Sequence, residues 1–223
     1  MTHKFAQYLI LAVSALGLSA LPAFADAPCP TGVDLNTYTA AGFTCSIGNL
    51  DFSNFDYASS TGTTASEVAV DPVMGPDGPG FNFDGAWSAG PGQNLDADIK
   101  FNVTATSGSI DDIYIILAAS STTGNGSASY SENYCYSGPN EPCFLAVEQP
   151  GAAQTDVVTL NTPQTFLSID KDLALFGNNG SVMVSSFGNQ YSSIPEPRAV
   201  SLVLGLGLLA GFAFFKRRQV AQI

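Results

Sequence analysis

Leu95-Asp96-Ala97-Asp98-Ile99-Lys100-Phe101-Asn102-Val103 decides the fold class of this chain. Every second residue is apolar and those between are polar, and a period of two is that of a β-strand with one wet face and one buried face. The same signature recurs less cleanly over residues 47–55, 67–71, 80–87, 113–118, 156–160, 165–169, 173–176 and 181–187, between clusters of Gly, Pro, Ser and Asn. Ile113-Tyr114-Ile115-Ile116-Leu117 is apolar on both faces and belongs inside a sheet. Only residues 35–41 read as a short helix. The pattern predicts an all-β sandwich or jelly roll of about eight to ten strands.

The connections follow from their breakers. Asp71-Pro72-Val73-Met74-Gly75-Pro76-Asp77-Gly78-Pro79-Gly80 is excluded from helix and from a central strand. Residues 120–129, centred on Gly124-Asn125-Gly126, read as a polar hairpin tip, and residues 185–193 as a polar linker.

Both ends of the chain differ from the middle. Lys4, an apolar run over residues 5–18 and Ala23-Phe24-Ala25 make the three-part pattern of a secretory signal peptide, so residues 1–25 are expected to be removed. Residues 199–215 carry no charge and would form about 26 Å of helix, the lower limit for a membrane span. Lys216, Arg217 and Arg218 follow as a basic stop, which places the preceding chain outside the cytoplasm. Just before the span, Pro195-Glu196-Pro197 withholds two backbone donors and fixes an extended handle at the membrane surface.

Ile194-Pro195-Glu196-Pro197-Arg198, the Gly- and Leu-rich span and the basic cluster together resemble the PEP-CTERM sorting tail. The resemblance implies recognition by an exosortase, a membrane-embedded transpeptidase of Gram-negative bacteria, and a cut near Pro-Glu-Pro. The span would then be transient, and the product would remain at the cell surface or leave the cell. Cys45-Ser46-Ile47-Gly48-Asn49-Leu50-Asp51-Phe52-Ser53-Asn54-Phe55 and Ser168-Ile169-Asp170-Lys171-Asp172-Leu173 are similar to segments of other PEP-CTERM proteins, which implies a shared fold and no activity. The expected division is therefore a signal peptide at 1–25, an all-β domain at 26–193 and a sorting tail at 194–223.

Charge and composition narrow the chemistry of the middle domain. Eighteen of the nineteen acids lie there against Lys100 and Lys171 as its only bases, a net charge of −16, which excludes a nucleic-acid partner. The single histidine, His3, falls in the signal peptide. The mature domain therefore has no Ser-His or Cys-His nucleophile pair and no imidazole metal ligand. Hydrolysis by two carboxylates would survive that loss, but no spacing singles out a pair.

Cys29, Cys45, Cys135 and Cys143 are even in number and sit in an oxidising compartment, where three pairings are open. Closeness in sequence favours Cys29 with Cys45 and Cys135 with Cys143. Tyr130, Tyr134 and Tyr136 crowd around Cys135 and are candidates for a sugar-stacking platform, the other reading being packing over the disulfide. Trp87, the only tryptophan, is expected to anchor the core. Asp96 and Asp98 are candidate calcium ligands, although alternation already explains them as the wet face of a strand. No cofactor is expected, and calcium is the one cation the acidic surplus would suit.

These readings converge on a non-enzymatic structural or interaction protein of the cell envelope. Its expected partners are an exosortase and extracellular polysaccharide, the latter in a biofilm matrix because PEP-CTERM systems accompany exopolysaccharide production. The alternatives are a carbohydrate-binding module and, after it, a carboxylate-based glycan hydrolase.

Overall fold

A computed structural model describes residues 26–136, 143–148 and 154–194. The signal peptide at 1–25, the sorting motif Pro195, Glu196 and Pro197, the span at 199–215 and the basic stop Lys216, Arg217 and Arg218 lie outside the described residues. Among the described residues no helix is long and apolar enough to cross a membrane.

Twelve strands are described: β1 (Val33–Asp34), β2 (Thr44–Ile47), β3 (Leu50–Ser59), β4 (Ala69–Gly75), β5 (Gly78–Ala89), β6 (Asn94–Ala105), β7 (Ser109–Thr123), β8 (Ser127–Cys135), β9 (Cys143–Glu148), β10 (Gln154–Gln164), β11 (Phe166–Phe176) and β12 (Ser181–Ile194). One sheet runs β1-β4-β5-β12-β7-β10 and the other β2-β3-β6-β11-β8-β9, with every ladder between neighbours antiparallel. From β5 onward the chain crosses between the sheets at every connection except β8 to β9. That winding sets β5-β12-β7-β10 against β6-β11-β8-β9, the double Greek key of a jelly roll. β3 and β4 extend the two sheets beside β6 and β5, and β2 and β1 close those edges.

The interior is built by alternation. In β6, Ala97, Ile99, Phe101 and Val103 are buried while Asp96, Lys100 and Thr104 are exposed, as the sequence predicts. From the facing sheet Phe81, Phe83, Phe187 and Trp87 enter the same layer, and the Phe52 and Phe81 rings meet edge to face with centroids 4.7 Å apart. Trp87 is fully buried and its indole Nε1 donates to the Tyr57 hydroxyl at 3.1 Å, which satisfies its polar atom inside the core. Ile113, Ile115 and Leu117 of β7 face inward between β12 and β10, but Tyr114 and Ile116 on the other face are only half-buried.

Several local expectations are corrected. The breaker-rich segment 71–80 is a β-hairpin, in which β4 and β5 pair as far as Gly75 with Gly78 around Pro76-Asp77. Pro72 is tolerated inside β4 because β1 covers only Ala69 and Val70, leaving its other side an edge. Gly124-Asn125-Gly126 joins β7 to β8, which belong to different sheets, so it is an arch and not a hairpin. Residues 185–193 are no linker. They form most of β12, hydrogen-bonded to β5 on one side and β7 on the other. The short helix α1 (Leu35–Tyr38) is present, its first turn capped by the Asp34 carboxylate accepting from the Thr37 amide at 3.2 Å.

Cys29 and Cys45 form a disulfide that ties the segment before β1 to β2, beside the bridge between Pro28 and Ser46. Cys135 is disulfide-bonded, and the residue opposite it on β9 is Cys143. Replacing Cys29 and Cys45 together by alanine opens a loop for which the chain-entropy cost is about 3 kcal/mol. A lower urea midpoint is the expected result; an unchanged midpoint would mean that the N-terminal segment adds nothing to the sandwich.

Candidate functional site

The tyrosines proposed as a sugar platform are not one. β8 alternates strictly, and Ala128, Tyr130, Glu132 and Tyr134 all point inward. Tyr130 is 0% exposed and Tyr134 5%, so neither ring offers a face to a ligand. Tyr136 is half-buried against the core, with its ring 6.3 Å from that of Tyr134. Packing won because the segment is an inner strand of its sheet, where a period of two sends every second side chain into the interior.

The same alternation carries charge into the core. β11 sends Leu167, Ile169, Lys171, Leu173 and Leu175 inward, and Lys171 stands directly opposite Glu132 in the β11–β8 ladder. Both are fully buried and joined as an ion pair, and Lys171 Nζ also donates to the Tyr130 hydroxyl at 2.8 Å. From the facing sheet β12 contributes Asn189 and Tyr191, both 0% exposed. The Tyr191 hydroxyl is 3.4 Å from Glu132 Oε1, and Asn189 Nδ2 is 3.4 Å from each carboxylate oxygen and donates to the Tyr191 hydroxyl. The Phe101 and Tyr130 rings each lie 5.5 Å from the ammonium. Burial pulls the Lys171 amine below its ordinary range, against the opposing pull of Glu132, and pushes the Tyr130 and Tyr191 hydroxyls well above theirs. Asn189 Oδ1 is buried with no hydrogen-bond partner.

Sequence reading missed this cluster because Asp170-Lys171-Asp172 resembles a wet turn. Counting by twos through Leu167, Ile169, Leu173 and Leu175 would have placed Lys171 inside.

On the outer face of the same sheet Asp98 faces Asp172 across the β6–β11 ladder, and Lys100 faces Asp170 and Asp56. Lys100 pairs with Asp170 at 2.9 Å, but both side chains are well exposed and the pair adds little stability. Partial burial, then the neighbouring acids, raise the pKa of Asp98 and of Asp172. Asp96 is occupied in accepting from the Ser60 hydroxyl at 2.6 Å. Among the described residues no group of three or more His, Cys, Asp or Glu is placed to hold a metal ion. On the opposite sheet, Ser88, Ser121, Thr123, Ser181 and Met183 line a shallow depression of about 370 Å³ across β5, β12 and β7.

No family model and no curated protein matches the chain. Solved structures with a similar chain course include TmCBM61 in complex with beta-1,4-galactotriose, 10% identical with a TM-score of 0.33 over 64% of this chain and 88% of that one. Another is from work on the promiscuous specificity of carbohydrate-binding modules of the beta-sandwich superfamily, 10% identical with a TM-score of 0.32 over 75% and 63%. A third is the family 11 carbohydrate-binding module from Clostridium thermocellum in complex with a mixed-linked tetrasaccharide, 13% identical with a TM-score of 0.26 over 68% and 93%. A likeness this loose says nothing of what the present chain binds.

The acidic face makes a pH prediction. A carboxyl whose pKa is raised on folding binds its proton more tightly in the native state, so it adds stability at low pH and loses it as pH rises through the folded value. Asp98→Asn is therefore expected to melt higher than wild type at pH 7, with the difference closing as pH falls through the raised pKa of Asp98. A variant that melts lower at pH 7 would show that the Asp98 charge is stabilising.

Proposed function

We propose that this chain is an exported, non-enzymatic protein of the cell envelope or its surrounding matrix, delivered through its C-terminal tail, whose β-sandwich binds extracellular polysaccharide. The observation that carries the delivery reading is the course of β12. It pairs with β7 as far as Ser193 with Ile110 and Ile194 with Ser109, and the next residues in sequence are Pro195-Glu196-Pro197. A tail recognised and cut there would release a domain folded up to its new C-terminus, with no slack between an inner strand and the point of attachment.

Polysaccharide as partner is supported by the depression on the outer face of β5, β12 and β7. Its rim is rich in hydroxyls, Met183 is 46% exposed within it, and no ionised side chain lines it. Hydroxyl groups around a small apolar surface suit the polar edge and apolar face of a neutral sugar ring. Thr123 and Ser181 already hold each other at 2.7 Å, which fixes one wall. The glycan-hydrolase reading has less behind it, because Asp98 and Asp172 stand side by side on an open sheet face rather than across a cleft.

The secreted protein, co-sedimented with exopolysaccharide from its own cells, is expected to pellet with it, and Ser121→Arg with Met183→Arg to abolish that binding. Mass analysis of the same material is expected to show a chain that starts at Asp26 and ends near Pro195. Undiminished binding by the double variant would overturn the depression as the site. A secreted chain still ending at Ile223 would overturn tail processing.

A further inference from the structure

We propose that Lys171 and Asn189 react with each other inside the folded domain to form an isopeptide bond, with Glu132 as the proton carrier. The reaction needs an amine, a carboxamide and an acid-base group held together away from water. The buried cluster supplies all three from strands of both sheets, Lys171 and Glu132 on β11 and β8, Asn189 on β12. Each is 0% exposed.

The geometry suits the proton transfers. Glu132 Oε2 accepts from Lys171 Nζ, the nitrogen that must lose protons, and lies 3.4 Å from Asn189 Nδ2, the nitrogen that must gain one to leave. Glu132 takes a proton from the ammonium, and the neutral amine attacks Cγ of Asn189. The new bond joins Nζ to Cγ, the bond from Cγ to Nδ2 breaks, and Glu132 gives its proton to the leaving Nδ2 and takes up the second Nζ proton, so the products are a secondary amide, one ammonia and a protonated Glu132. No oxidant, cofactor or water is consumed. Confinement replaces a bimolecular encounter with a fixed one, and a positioned carboxyl close to both nitrogens is a general acid-base catalyst for both halves of the step.

The surroundings favour the product. Complete burial weakens the hold of Lys171 on its proton and frees its lone pair, against the opposing pull of Glu132. As it stands, the core contains an ion pair and a carboxamide oxygen without a hydrogen-bond donor, both costly in an apolar layer. Bond formation removes the ammonium and leaves Glu132 as a neutral, protonated carboxyl, so neither charge of the pair remains in the apolar layer. The bond would also tie β11 to β12 across the middle of the sandwich. The disulfide between Cys29 and Cys45 lies instead at the edge of one sheet.

The test is the mass of the secreted protein after full reduction. It is expected to be lighter than its sequence by one ammonia, about 17 Da, and its proteolytic digest to contain one branched peptide joining Lys171 to Asn189. Glu132→Gln and Asn189→Ala are each expected to restore the full mass. Succinimide formation at Asn125-Gly126 or Asn179-Gly180 loses the same ammonia, so the branched peptide decides. A linear peptide carrying an unmodified Lys171 from folded wild-type protein would overturn the proposal whatever the variants do.

Discussion

The pairing of Lys171 with Glu132 is the constraint around which the sandwich is arranged. Two charges removed from water are costly unless each finds its partner, and here the partner lies directly across one ladder, with Tyr130, Asn189 and Tyr191 closing the remaining sides. A slip of one residue in β11 would turn Lys171 outward and bring Asp170 and Asp172 into an apolar layer. The same slip in β8 would expose Glu132 and strand the ammonium. The pair therefore fixes the register of two strands and, through Asn189 and Tyr191, the position of β12 in the opposite sheet. Glycines permit the close approach this requires: a side chain at Gly80 would come within 1.9 Å of the Asn189 carbonyl oxygen.

How much of this was legible follows from where polar residues fall. β6 could be read directly because its inward positions are all apolar and its outward positions all polar. β11 was read as two strands around a turn, since a lysine at an inward position breaks the visible pattern although it keeps the spacing. Only the first half of β12, residues 181–187, reads as a strand, and residues 185–193 read as a linker for the same reason: Phe187, Asn189 and Tyr191 face inward among serines and glycine, and an inward asparagine looks like a loop residue. β8 hides its period behind Glu132, Tyr130 and Tyr134, polar-tipped residues at its inward positions. The sequence thus reveals the fold class through its ordinary strands and conceals the centre, because the centre is polar.

The outer faces divide the surface. One sheet presents the acids of β6 and β11 around Lys100, and the other a hydroxyl-rich depression across β5, β12 and β7. Neither gathers the histidines, thiols or convergent carboxylates on which most hydrolytic sites depend, and the sulfur of Cys29, Cys45 and Cys135 is committed to disulfides. β12 links these features. It lines the depression, carries Asn189 and Tyr191 into the buried cluster, and leads directly to the residues read as the sorting handle. Load applied at the tail would enter the domain through this strand, where hydrogen bonds on both sides and the central cluster share it.

Native-state hydrogen exchange of the wild-type protein tests most directly whether the buried pair organises the whole. The backbone amides of Tyr130 to Glu132, of Lys171 and of Asn189 to Tyr191 are expected to be the slowest to exchange, opening only with global unfolding, while those of β1 and β2 exchange first. Rapid exchange at Glu132, Lys171 and Asn189 beside slow exchange in the purely apolar layer of Phe81, Phe83 and Phe101 would contradict it, for the sandwich would then be held by its aromatic half alone.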